Sequence, residues 1–216
     1  MKVSLSILTV DYLKVYESLK DYIDDVDYLH LDVMDGVFVP NISFGPGFIK
    51  SLRKINDDLI FDTHLMIEYP DRYIKEFAEA GSQYITFHVE ANCDVMKTIE
   101  LIKSYNVKAG LSIKPNTKVS EIEKYLPYLD MVLVMSVEPG FGGQKFMVGA
   151  IDKVKELKEL REKNGYSYLI NIDGGINDET GKSIKDYVDM AVSGSYVVNN
   201  KNYSSKEAIK RLHDLK

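Results

Sequence analysis

The chain of 216 residues has a single cysteine, Cys93. No intramolecular disulfide can form, which fits a reducing compartment. It has no excess of basic residues: 27 Lys and Arg stand against 33 Asp and Glu, for a net charge of −6. With no basic run, duplex nucleic acid is not expected as a partner, although a local pocket for one phosphate is compatible with this balance. No apolar run reaches membrane length, and Met1 leads into an alternating apolar segment with Asp11 rather than into a charged-then-apolar leader. No membrane partner is expected, and the location read from these absences is cytoplasmic. The turn after the first strand-like run, Leu8-Thr9-Val10-Asp11, has no glycine, which argues against a doubly wound nucleotide-binding sheet. No low-complexity linker or shift of composition divides the chain, so residues 1–216 are read as one domain.

What is present is an ordinary globular balance, 45% hydrophobic and 28% charged. Short β-rich runs alternate with longer amphipathic ones. The expected strands are Val3–Leu8, Tyr28–Val33, Leu59–Met66, Tyr84–Val89, Val107–Ile113, Met131–Met135, Tyr168–Ile172 and Val188–Val192. Helical patterns fall at Tyr12–Ile23, Pro70–Ala80, Val95–Tyr105, Val119–Leu126, Ala150–Lys163 and Ser204–Leu215, several ending at a Gly or Asn (Gly81, Asn106, Gly165). Strands joined by helix-length connections are parallel. Eight such units in a chain of this size favour a closed (β/α)8 barrel in the α/β class.

In such a barrel the site lies at the C-terminal ends of the strands, and polar residues gather there. Strict alternation places His30, Asp32 and Met34 on one face of the second strand, and Leu29, Leu31 and Val33 on the other. The third strand groups Asp62, His64 and Met66, the fourth Thr86, His88 and Glu90, and the seventh Asn171 and Asp173. A carboxylate inside a barrel is costly unless paired or bound to a metal. His30, Asp32, His64 and Asp173 form a candidate ligand set for one divalent ion; such a mixed nitrogen–oxygen site suits zinc, iron, manganese or cobalt, and affinity alone does not choose among them. The plainer alternative, hydrogen-bonded core histidines, stands beside it. His88 lacks an evident ligand partner and is read as support or core, and His213 as a solvated surface residue.

Three glycine segments follow the last strands: Pro139-Gly140-Phe141-Gly142-Gly143-Gln144, Asp173-Gly174-Gly175 and Ser193-Gly194-Ser195. Gly-Gly alone is usually a turn, but three segments on one rim make a candidate phosphate cradle of backbone amides. Met34, Met66 and Met135 recur at strand ends, as adaptable core filler or as water-excluding walls.

The segments Ser6-Ile7-Leu8, Leu31-Asp32-Val33-Met34-Asp35-Gly36, Phe38-Val39-Pro40-Asn41, His64-Leu65-Met66, Met135-Ser136-Val137, Pro139 to Gln144 and Asp173-Gly174-Gly175-Ile176 together resemble the ribulose-phosphate 3-epimerase family, in order along essentially the whole chain. The resemblance implies a (β/α)8 barrel that binds a small sugar phosphate, with His30, Asp32, His64 and Asp173 as metal ligands. It also implies Asp32 as proton acceptor and Asp173 as proton donor. Ser6, His64, Gly140, Phe141, Gly142, Gly143, Asp173, Gly174, Gly175, Gly194 and Ser195 match substrate-binding positions, and Met34, Met66 and Met135 match positions that wall the reacting carbons. A homo-oligomer is compatible with it. Leu5, Lys114 and Ser193 stand where the family commonly has proline, asparagine and alanine.

The implied chemistry interconverts D-ribulose 5-phosphate and D-xylulose 5-phosphate. One carboxylate takes a proton beside the ketone, a metal stabilises the enediolate, and a second carboxyl returns a proton to the opposite face. Rival readings are an epimerase for D-allulose 6-phosphate, a decarboxylase or aldolase on a similar barrel, and a non-catalytic phosphate-sensing barrel. The decarboxylase pattern needs a lysine where Met34 stands.

Overall fold

The computed structural model describes residues 1–215. Eight parallel strands close into a barrel in chain order: β1 (Lys2–Ser6), β2 (Tyr28–Met34), β3 (Ile60–Met66), β4 (Tyr84–His88), β5 (Lys108–Ile113), β6 (Met131–Met135), β7 (Leu169–Asp173) and β8 (Met190–Ser193). The helices are α1 (Val15–Leu19), α2 (Pro46–Leu52), α3 (Ile74–Glu79), α4 (Val95–Ser104), α5 (Gly149–Asn164), α6 (Asp178–Ile184), α7 (Ser195–Val198) and α8 (Ser205–His213). Among the described residues no helix is long and apolar enough to cross a membrane.

Every strand has two buried faces, because the helices cover one and the barrel interior encloses the other. The outward set, including Leu29, Leu31, Val33, Phe61 and Leu65, joins the helices in one large hydrophobic core. The inward set is layered. Tyr28, Tyr84, Met131 and Met190 plug the N-terminal end. Polar side chains follow, with His30, Asp62 and Asn171 fully buried. The register then sets Asp32 beside His64 between β2 and β3, and Met135 beside Asp173 between β6 and β7. The period-2 alternation of the sequence thus becomes an apolar shell around a polar shaft.

The connections depart from the sequence reading in several places. The stretch Tyr12–Ile23 is not one helix: α1 is flanked by 3-10 turns at Tyr12–Lys14 and Ile23–Asp25. Asp11 caps the first of these by accepting from the Leu13 amide at 3.0 Å. The chain then leaves helical geometry at Tyr22, which lets Tyr22 and Ile23 bury themselves. The stretch Val119–Leu126 is a pair of 3-10 segments, Val119–Glu121 and Glu123–Tyr128, the second containing Pro127, which has no amide to donate. Pro70–Ala80 opens as a 3-10 turn, Pro70–Arg72, before α3. The short helices α2, α6 and α7 lie in helix-length connections for which the sequence reading gave no bounds. Gly81, Asn106 and Gly165 each adopt positive φ (103°, 57° and 68°) where the chain turns toward the next strand. His213 is not simply solvated, since its Nε2 lies 2.9 Å from Asp27 Oδ2, which also accepts from the Val3 amide at 2.8 Å.

Candidate metal centre and active site

At the C-terminal end of the barrel, His30, Asp32, His64 and Asp173 each direct one donor atom into a common space, all four within 4.8 Å of one another. His30 Nε2 stands 3.3 Å from Asp32 Oδ1 and 3.8 Å from Asp173 Oδ2. His64 Nδ1 stands 3.4 Å from Asp32 Oδ1 and 3.9 Å from Asp173 Oδ2. The two imidazole nitrogens are 3.4 Å apart. A four-coordinate divalent ion with bonds of about 2.0–2.2 Å separates its donors by roughly 3.3–3.6 Å, so the set fits such an ion with small adjustment at Asp173. Two nitrogens and two carboxylates are also the donor types that first-row divalent metals accept.

The outer side of three of the four ligands is held. His30 Nδ1 lies 2.8 Å from Asp62 Oδ2, and the Asn171 amide donates to the same oxygen at 3.3 Å. His64 Nε2 lies 2.9 Å from His88 Nε2, and His88 Nδ1 lies 3.1 Å from Glu90 Oε2. Asp32 keeps a second oxygen for the Ser6 hydroxyl, which donates to Oδ2 at 2.7 Å. Glu90 Oε1 accepts from the Lys114 amide at 2.8 Å and from the Thr117 hydroxyl.

These contacts split the two aspartates. Burial works to raise the Asp32 carboxyl, but His30 and His64 beside it outweigh burial and hold it well below the usual carboxylate range. Burial, reinforced by the negative charge of Asp32, pushes Asp173 up to about 6. Burial opposes the His30 cation, yet Asp32 and Asp62 overcome it and hold His30 well above its ordinary value. His88 goes the other way, lowered to about 4, chiefly by burial. One carboxylate that stays ionised near one whose proton affinity is raised is the arrangement general acid–base chemistry uses.

Above the four donors opens a cavity of about 460 Å³. Ser6, Asp32 and Asp173 line its floor side, and Met34, Met66 and Met135 its apolar wall. Gly140, Phe141, Gly143, Gly174, Gly175, Gly194 and Ser195 also border it, so the three glycine segments do converge. His30 and His64 are fully buried and do not line it; they sit beneath the floor. Gly142 is off the wall too, with its α-carbon facing Thr9. Gly174 is required as glycine: φ is +122°, and a β-carbon would come within 2.5 Å of Val137.

Three contributors escaped the sequence reading. Asp62 shares a face with His64, but its partnership with His30 depends on inter-strand register. Glu90 was grouped with His88 without a role. Asn41 donates its amide to the Gly140 carbonyl at 2.8 Å, tying the loop after β2 to the loop after β6.

A parallel eight-stranded barrel with a buried two-histidine, two-aspartate cage below a glycine-bordered cleft defines the class: a (β/α)8 barrel carrying a mixed nitrogen–oxygen ligand site. The model of the ribulose-phosphate 3 epimerase family matches residues 2–198, and the chain belongs to that family. Ribulose-phosphate 3-epimerase of Bacillus subtilis (strain 168) is 44% identical over 200 residues, covering 91% of this chain and 92% of the relative. That of Aquifex aeolicus (strain VF5) is 42% identical over 203 residues, covering 93% and 91%. Among solved structures, KGPDC from Streptococcus mutans superimposes with a TM-score of 0.72 at 14% identity, covering 98% of this chain and 95% of that one. Orotidine 5'-phosphate decarboxylase from Pyrococcus horikoshii OT3 gives a TM-score of 0.69 at 10% identity, covering 98% and 97%. At such identities these two share the fold alone.

Proposed function

We propose that this chain, acting as one barrel domain, interconverts D-ribulose 5-phosphate and D-xylulose 5-phosphate by inverting carbon 3. The observation that carries the reading is the pair Asp32 and Asp173. They come from separate strands, β2 and β7, to one small cluster, and their proton affinities are displaced in opposite directions.

Asp32, ionised, takes the proton from carbon 3 on one face of the ketose. The electron pair moves into the neighbouring carbonyl to give an enediolate. Asp173, protonated, returns a proton to carbon 3 on the other face, and the pair of electrons reforms the carbonyl. The two carboxyls end with their protonation exchanged, ready for the reverse direction. A divalent metal bound by His30, Asp32, His64 and Asp173 supplies Lewis-acid stabilisation for charge developing on the adjacent oxygens. Zinc or iron is the proposed ion, with manganese or cobalt as substitutes. Ser6 orients Asp32 through its hydroxyl. Met34, Met66 and Met135 exclude water from the reacting carbons, and the glycine segments at Gly140–Gly143, Gly174–Gly175 and Gly194–Ser195 hold the phosphate. That anchor contributes binding energy away from the chemistry and fixes the reacting carbon between the carboxyls. The proposed compartment is the cytoplasm, supported by the lone, half-buried thiol of Cys93.

The test is a coupled assay with D-ribulose 5-phosphate, before and after chelation and with single metals restored, beside D-allulose 6-phosphate as comparison substrate. Turnover of the pentulose, lost on chelation and accompanied by solvent deuterium at carbon 3, is expected. Faster turnover of the hexulose phosphate would reassign the substrate. Phosphate binding with no turnover of either sugar would make the barrel a sensor.

A further inference from the structure

Both cage histidines are contacted on the side away from the cage, and by groups of different kinds. Asp62 faces His30 Nδ1 at 2.8 Å, and neither side chain is exposed. A carboxylate only accepts, so in the neutral ring, the form that binds a metal ion, the hydrogen of His30 belongs on Nδ1 and its lone pair on Nε2, the atom aimed into the cage. Asp62 Oδ2 also receives the Asn171 amide at 3.3 Å.

His64 is turned the other way, with Nδ1 toward the cage and Nε2 2.9 Å from another imidazole nitrogen, His88 Nε2. Two nitrogens at that distance share one hydrogen. The opposite end of His88, Nδ1, faces Glu90 Oε2 at 3.1 Å, and that carboxylate accepts. In the neutral ring the His88 hydrogen is therefore on Nδ1, and Nε2 accepts. His64 must then donate from Nε2, leaving the Nδ1 lone pair free. Glu90 is itself pinned through Oε1 by the Lys114 amide and the Thr117 hydroxyl on the loop after β5. Lys153 in turn donates from Nζ to the Lys114 and Pro115 carbonyls at 2.9 and 2.7 Å.

We propose that two carboxylates outside the cage set the tautomers of its two histidines: Asp62 directly on His30, and Glu90 through His88 on His64. They are positioning residues. They hold the imidazoles in opposite tautomers so that four lone-pair donors meet with no N–H pointing inward. The pattern rests on the metal-site reading above and assigns Asp62, His88 and Glu90 a part in it. Outer partners of metal-bound histidines generally alter affinity by about 10- to 100-fold.

The experiment uses the full chain, stripped by chelation and titrated with Zn²⁺ alone. Long-range nitrogen–proton spectra of the Zn²⁺-loaded wild type are expected to show the N–H of His30 on Nδ1 and that of His64 on Nε2. This readout needs no variant to fold. Asp62→Asn is expected to weaken the Zn²⁺ Kd by about 10- to 100-fold, and Glu90→Ala by about 10-fold because it acts through His88. Melts of the metal-free variants check folding. The same tautomer on both histidines, or wild-type Kd in both variants while His30→Ala loses Zn²⁺, overturns the positioning roles and leaves the cage intact. A wild type that binds no Zn²⁺, or a Kd that His30→Ala does not move, removes the cage and this inference with it.

Discussion

The side-chain amide of Asn41 donates to the carbonyl of Gly140 at 2.8 Å. This bond joins the loops after β2 and β6 beside the cavity, and Val39 packs against the α-carbon of Gly140. Asn41→Ala removes the tie without touching the cage. A hydrogen bond of this kind contributes about 0.5–1.5 kcal/mol. The expected result is a kcat/KM lower by roughly 2- to 10-fold, mostly in KM, with metal content unchanged. Steady-state kinetics alongside metal analysis checks it.

Removing either proposed proton-transfer group is expected to have a larger effect. Asp32→Asn and Asp173→Asn are each expected to lower kcat by about 10²–10⁴-fold, the usual contribution of a positioned acid or base. Because Asp173 is proposed to serve the face opposite Asp32, its variant should also stop exchanging solvent deuterium there. Exchange spectra of the ketose, with metal content matched, separate this from simple loss of the ion.

Gly174 supplies a structural counterpart. At φ +122°, with Val137 side-chain carbons 2.5 and 2.7 Å from a would-be β-carbon, Gly174→Ala forces backbone strain and displaces Val137 on the cavity wall. A loss of about 1–3 kcal/mol in stability is expected, together with weaker binding of inorganic phosphate. Denaturant unfolding and phosphate competition measure the two effects.

The pH dependence is predicted best away from the cage. Burial raises the Asp27 carboxyl, but the bonds from His213 and from the Val3 amide, with the charges of His213 and Lys2, outweigh it and leave the group lowered. A carboxyl with a depressed folded value contributes stability above its unfolded value, about 3.9. That contribution is lost as pH falls from there through the folded value. His213→Ala should therefore reduce stability at pH 5–7 and flatten its decline below about pH 4, with turnover unchanged. Melting curves across that range test the sign.

At the opposite end of the barrel, Arg53 donates to the carbonyls of Leu59 and Gly81 at 2.6 and 2.7 Å and to Gln83 Oε1 at 2.9 Å, with its guanidinium 3.5 Å over the Phe61 ring. An ammonium cannot reproduce that planar fork. Arg53→Lys is expected to lower stability by about 1–3 kcal/mol while leaving kcat intact, as unfolding and activity measurements would show.

The strands, and with them the cage, were legible because alternation put His30, Asp32, His64 and Asp173 at the ends of separate β-rich runs, where burial demands a partner. The connections were harder. α2 opens with Pro46 at its first position and Gly47, a poor helix former, next to it, so it carries little helical signal. Tyr12–Ile23 carries helical spacing that Tyr22 interrupts. The outer partners were illegible for another reason. Asn171 reaches Asp62 across 109 positions of sequence, and Glu90 acts on His64 only through His88. No local period encodes such pairings; only the closed register of the barrel creates them.

The four cage donors come from β2, β3 and β7, so no short stretch of the chain can grip a cation by itself. An extended chain disperses them, and folding alone restores the chelate. Occupancy and folding would consequently be linked: an ion that prefers the assembled barrel shifts the balance away from unfolded molecules. Starving cells of that ion should then thin out the polypeptide itself, through proteolysis, as well as silence it.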